Sequence, residues 1–344
     1  MLRLLAVLPL LLTAQTPGPT DDSVPAEPPT EVEPDGAADS PVDPMAATRI
    51  DGVAPLVFPL GGTTPDLWIP RGEHLTFGVH VTVGPVGATV GNVYLDTGVE
   101  PYRESLVLLG GGGDTGRETG RLAAKAEGSY LFYSMVTTLD SRYLPQAWPS
   151  ISYYYRQTGS ENRRRETQLG QLEGRPQTVY RRDTKRGAPA GQRIWAAKQL
   201  RDVPEGTVDM LGAVYLARGL AVGDHPEDTE LVFPLIDKLT IWEMHLSLGE
   251  EKRIEVPAGT FDAVEVVLVP KTWPGEPEQE SSKFQGLFGI RGSIQLWVEK
   301  RTGVPIKIAG TIPAGPVSVE CDIYLESSTG TPDAFQAVEL TTED

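Results

Sequence analysis

Apolar residues at every second position, in short segments separated by turn formers, constrain this chain more than any other feature. In His74–Val83, Leu75, Phe77, Val79, Val81 and Val83 fall on one side, and His74, Thr76, His80 and Thr82 on the other. A period of two describes a strand with one buried face. The texture recurs over 88–96, 130–138, 152–157, 166–172, 178–183, 239–248, 251–256, 263–270, 293–300, 305–312 and 317–326. Glu173-Gly174, Pro257-Ala-Gly259 and Arg301-Thr-Gly303 supply turns between these segments. One segment breaks the rhythm: Met210, Ala213, Val214 and Ala217 stand at helical spacing, behind Asp209 as a cap. Many short strands and one helix predict a mainly β protein. Its expected form is a curved antiparallel sheet or barrel-like domain over 66–326, with one covering or plugging helix.

The ends of the chain read differently. Residues 1–16 have the form of a signal peptide: Arg3, an apolar run from Leu4 to Leu12, then Thr13 and Ala14. The run is about half of the roughly 20 residues that a bilayer span needs. Cleavage is expected between Gln15 and Pro19, and no cysteine follows the run to take a lipid anchor. Residues 17–65 are expected to form a disordered, acidic, Pro-rich linker, because 15–48 hold eight acids, eight prolines and no Lys or Arg. Residues 327–344 form an acidic tail. The reading is an exported protein, periplasmic or secreted, with no transmembrane span once mature.

Several function classes fall away. A net charge of −17 opposes general binding to nucleic acid or anionic membranes. One cysteine, Cys321, excludes an internal disulfide, a Cys-based zinc site and an iron–sulfur cluster. The four histidines lack the spacing of a ligand pair. Gly111-Gly-Gly-Asp-Thr-Gly116 fits the dinucleotide-binding pattern of glycines, but no βαβ alternation surrounds it. No catalytic, cofactor-binding or metal-ligating residue is assigned, and no cofactor is expected.

Two features are candidates for binding. Residues 156–201 hold twelve basic residues against four acids, and Arg163, Arg164, Arg165, Arg181 and Arg182 lie near the ends of two paired strands. Guanidinium forks hold phosphate, sulfate or carboxylate bidentately. The same residues equally suit a solvated sheet face with cross-strand ion pairs, or a dock for the acidic linker. The second candidate is the interior. Leu75, Phe77 and Val79 of the first strand, with Leu296 and Val298 of a late one, are expected to line it.

The order of motifs resembles that of the DUF3108 family, exported bacterial proteins of unknown function. Gly72-Glu73 opening an alternating strand is similar to the family's start, with Gly87-Ala-Thr-Val as the return. Asp209-Met-Leu-Gly-Ala-Val-Tyr-Leu-Ala-Arg218 resembles its Asp…Tyr…Arg helix. Val256-Pro-Ala-Gly-Thr-Phe261 resembles its turn and strand, and Leu296-Trp-Val298 with Pro305-Ile-Lys-Ile308 its last hairpin. The stretches 109–128 and 273–285 look like insertions. The resemblance implies export and a β-rich, barrel-like domain, and brings no catalytic residues.

These features favour an exported, non-catalytic envelope protein. Its partner would be a lipid-like or envelope glycan ligand, or another protein. The alternatives are a carboxylate-dependent hydrolase or transferase acting on envelope polymers, whose catalysts leave little local signature, and a structural or assembly protein.

Overall fold

The computed structural model describes Val53–Ala54 and the chain from Gly72 to Gly330, apart from 84–85, 104–113, 131–132, 145–146, 173–174, 186, 205, 223–228 and 315–316. The expected signal peptide, nearly all of the linker and most of the tail lie outside the described residues. The strands are β1 (Val53–Ala54), β2 (His74–Val83), β3 (Val86–Arg103), β4 (Asp114–Tyr130), β5 (Tyr133–Leu144), β6 (Ala147–Gly159), β7 (Arg163–Leu172) and β8 (Arg175–Arg182). After them come β9 (Gln199–Asp202), the helix α1 (Met210–Val222), β10 (Glu230–Asp237), β11 (Thr240–Val256), β12 (Gly259–Thr272), β13 (Arg291–Glu299), β14 (Pro305–Ala314) and β15 (Val317–Thr329). All the paired strands run antiparallel in one sheet, in the order β10-β11-β12-β13-β14-β15-β2-β3-β4-β5-β6-β7-β8-β9, while β1 pairs with the end of β7.

Helix α1 is wrapped by this sheet. Leu, Ala and Met favour the helical form, and the Asp209 carboxylate caps it by accepting the Gly212 N–H at 2.9 Å. Apolar residues occur all round the helix, so no side of it suits water. It is buried from Met210 to Arg218 and packs against β4, β5 and β10–β13. The expected plug is therefore present, and inward residues of β10–β15 and β2–β4 complete one main core with it.

Two edges close the list of strands, and sequence patterning points to neither. Strand β10 contains Pro234, which a sheet tolerates at its edge because no ladder donor is needed there. Strand β9 has four residues and an exposed outer face. Barrel closure, the stronger form of the expectation, does not occur: the ladder ends at β9 and β10. A short β9 and a Pro-interrupted β10 cannot offer each other a continuous row of partners. The seam is bridged beyond β9, where Val208 donates to Pro234 O and accepts from Ile236 N–H, both at 3.0 Å. Leu169, Val203, Ile236 and Ile241 form a small apolar cluster beside this seam.

The stretches resembling insertions also belong to the fold. From Asp114 on, 109–128 is part of the long strand β4, whose inward Leu122, Ala124 and Ala126 are buried. Alanine disfavours strands in isolation, but its small side chain leaves room for α1, and packing overrides propensity. The segment after β12 returns to the core through Phe284, which meets Trp242 edge to face at 5.5 Å. Sheet curvature comes partly from irregularities at Val79/His80, Leu248/Glu251 and Leu325/Ser327. At Gly91 the β3 and β4 backbones approach so closely that a Cβ would stand 2.1 Å from Glu127 O.

Candidate functional site

Residues directly opposite on paired antiparallel strands point to the same face. The inner face of β5–β8 can therefore be read as rows. One row is Thr137, Gln157 and Arg163; the next is Leu139, Tyr155, Arg165 and Arg182; a third is Ser141, Tyr153, Thr167 and Tyr180. Alternation sends Arg164 and Arg181 to the outer face. The five arginines thus form two groups with different surroundings.

On the outer face Arg164 and Arg181 are each paired with an acid. Arg164 Nε donates to Asp183 Oδ1 at 2.5 Å, and Arg181 donates two bonds to Glu166 Oε2 at 3.0 and 2.7 Å. The Trp195 ring covers both guanidinium groups, at 3.9 and 4.2 Å from its centre. These contacts fasten the β8–β9 connection onto the sheet, where Ala196 N–H also bonds Arg182 O at 2.8 Å.

The inner group is less fully matched. Arg165 stacks on Tyr155 at 4.0 Å and stands 3.8 Å from the Asp237 carboxylate, across the seam. Tyr155 donates its hydroxyl proton to Gln157 Oε1 at 2.7 Å. Arg163 pairs with the half-buried Glu161, while its buried Nε–H has no acceptor among the described residues. Arg182 is exposed and has no carboxylate partner among the described residues. Burial holds the Tyr153 hydroxyl far above the ordinary tyrosine range, and Asp209 and Asp237 push it the same way against Arg165. Burial raises Tyr180 likewise, opposed by Arg165 and Arg182. Both phenols therefore remain neutral donors.

Polar groups also fix each end of α1. At its start, Asp209 accepts the buried Ser141 hydroxyl at 2.6 Å. At its end, Arg218 and Glu73 are 3% and 1% exposed and form a bidentate pair at 2.7 and 2.9 Å. Arg218 Nε donates to Gly303 O as well, and Gly303 holds φ +68° in the turn after β13. The guanidinium lies over the Tyr215 ring at 4.7 Å. No water reaches this pair, so its role is to hold α1 against β2.

The expected interior residues lie in the main core. Leu75, Phe77, Leu296 and Val298 are buried, and Val79 packs at the margin. Cys321 faces inward beside them, its thiol pushed up to about 12 by burial and by Asp322, which leaves it protonated and inert. Sequence reading misses Asp237, which lies on the unrecognised edge strand, and the inward Gln157 and Tyr180. For the last two, the alternation of β6 and β8 carries the signal.

The family model described as "Protein of unknown function (DUF3108)" matches residues 119–322. The chain belongs to DUF3108. Glu73 lies outside the matched span, whereas Asp209, Tyr215 and Arg218 lie inside it. No curated protein matches this DUF3108 chain. Among solved structures, a predicted lipoprotein from Parabacteroides distasonis is 10% identical with a TM-score of 0.27, covering 80% of this chain and 99% of its own. A predicted exported protein with a YmcC-like fold from Bacteroides fragilis is 7% identical with a TM-score of 0.23, covering 80% and 100%. Likenesses this distant do not bear on what the DUF3108 chain does.

Proposed function

We propose that this protein is an exported, non-catalytic binder that holds an anionic amphiphile on the inner face of β5–β8. Export rests on the apolar run behind Arg3. The observation that carries the ligand reading is the row Tyr155–Arg165–Arg182 with Arg163 diagonal to it. Three guanidinium groups share one face; among the described residues, one of them is exposed without an acid and another has an unfilled buried donor. A phosphate, sulfate or carboxylate headgroup suits that face through charge-assisted, bidentate bonds. Tyr153 and Tyr155, which border the main core, offer an apolar surface for the adjoining chain. Leu75, Phe77, Leu296 and Val298 then serve as the scaffold under α1.

Calorimetric titration with dodecyl phosphate, and with the neutral dodecyl maltoside as control, tests this reading. The phosphate is expected to bind more tightly, and Arg182→Gln with Arg163→Gln to weaken it by about tenfold or more, since a charged hydrogen bond is worth about 1.5–3 kcal/mol. Equal affinity for both amphiphiles, or no effect of the two substitutions, overturns it.

A further inference from the structure

The strand that carries Arg163 and Arg165 also anchors the N-terminal part of the chain. Val53 pairs with Leu172 and Ala54 with Gln171, so β1 lies on the far end of β7 from the arginines. Immediately before β1 comes the most acidic part of the protein. Residues 15–48 carry eight acids and no Lys or Arg, a charge of −8, while 156–201 carry twelve basic residues and four acids, a charge of +8. The two charges are opposite, and β1, which begins five residues after the acidic segment, pairs with the strand that carries Arg163 and Arg165.

We infer that the segment from Asp21 to Asp43 docks across the inner arginine face and competes there with the anionic ligand; this rests on the reading of that face as the ligand site. Reach supports it. From Leu172 to Arg165 a strand spans about 23 Å at roughly 3.3 Å per residue. Asp39 and Asp35, fourteen and eighteen residues before Val53, have extended spans of about 46 and 59 Å, enough to turn back and arrive. Proline brings no backbone N–H, so this composition suits a contact made through carboxylates more than one made by strand pairing. Tethering gives these acids an effective concentration of the order of millimolar, so individually weak ion pairs act together. Arg182, exposed and without an acid among the described residues, is the expected centre of the contact.

Two measurements on the exported full chain test the inference. In the first, Asp21, Asp22, Glu27, Glu31, Glu33, Asp35, Asp39 and Asp43 are replaced by Asn or Gln. Dodecyl phosphate is then titrated at about 20 mM and about 300 mM salt, conditions that differ strongly in screening. The neutralised chain is expected to bind about tenfold more tightly at low salt, and the gap to close at high salt. Equal affinity of the two chains overturns the docking and leaves the ligand site standing. The second measurement needs no ligand. With Cys321 buried and inert, Asp39→Cys accepts a spin label selectively. Broadening of the 163–165 and 181–182 amide signals at low salt, lost at high salt, supports docking even if dodecyl phosphate fails to bind. Absence of that broadening overturns it.

Discussion

From β10 round to β4 the sheet turns mainly Phe, Leu, Val, Ile and Ala inward, whereas from β5 to β9 it turns mainly Thr, Gln, Tyr and Arg inward, with Leu139 and Leu169 among them. Strand period and hydrogen-bonded ladder are alike in both regions, so what differs is the source of stability. Burying one Leu or Phe contributes about 1.5–3 kcal/mol, while an exposed ion pair contributes about 0–1 kcal/mol. The first region therefore carries the fold, and the second is free to hold charge. The cost falls at the edges: β9 and β10 share no ladder, and the seam beside them holds the Val208 bridge and a small apolar cluster.

The largest test of this contrast is in the aliphatic region. Glu73→Ala leaves Arg218 buried without its carboxylate and is expected to cost about 3–5 kcal/mol by chemical denaturation. Joint replacement by Glu73→Leu and Arg218→Met is expected to restore most of that loss, because it removes both charges. Phe77→Ala is expected to cost about 3–5 kcal/mol as well, through the cavity it opens. A loss below about 1 kcal/mol for Phe77→Ala would mean that α1 does not depend on this wall.

In the polar region the expected effects shrink. Trp195→Ala removes two cation–π contacts of roughly 0.5–1 kcal/mol each and is expected to loosen 183–196 before the rest. Amide exchange checks this, and uniform protection there would contradict it. High pH separates the regions further. Tyr153 and Tyr180 have raised folded-state values, so their contribution is complete below the unfolded tyrosine value of about 10 and is lost as pH rises beyond it. Absorbance titration is expected to show these phenols ionising only with unfolding. The smallest change belongs to Arg182→Gln, expected to alter stability by less than about 0.5 kcal/mol while weakening dodecyl phosphate. A large loss of stability from this substitution would erase the distinction between the regions.

Much of this was legible along the chain, because alternation and capping are local properties. His74–Val83 alternates as a strand and forms one, and Asp209 caps the helix it precedes, whereas Arg163–Arg165 precede the expected strand 166–172 and are divided between two faces only because β7 begins at Arg163. The order of motifs, the Asp209…Tyr215…Arg218 helix among them, also resembles the family that the match over 119–322 shows. Tertiary structure decided what depends on distant partners. Glu73 and Arg218 lie 145 residues apart and meet only after β2 and α1 pack. Strand β4 owes its conformation to the helix against its alanines, and β10 tolerates Pro234 because it lies at an edge. Asp237 approaches Arg165 only where the two edges of the sheet come together. Periodicity specifies which way a side chain points; the closure of long loops specifies what it meets there.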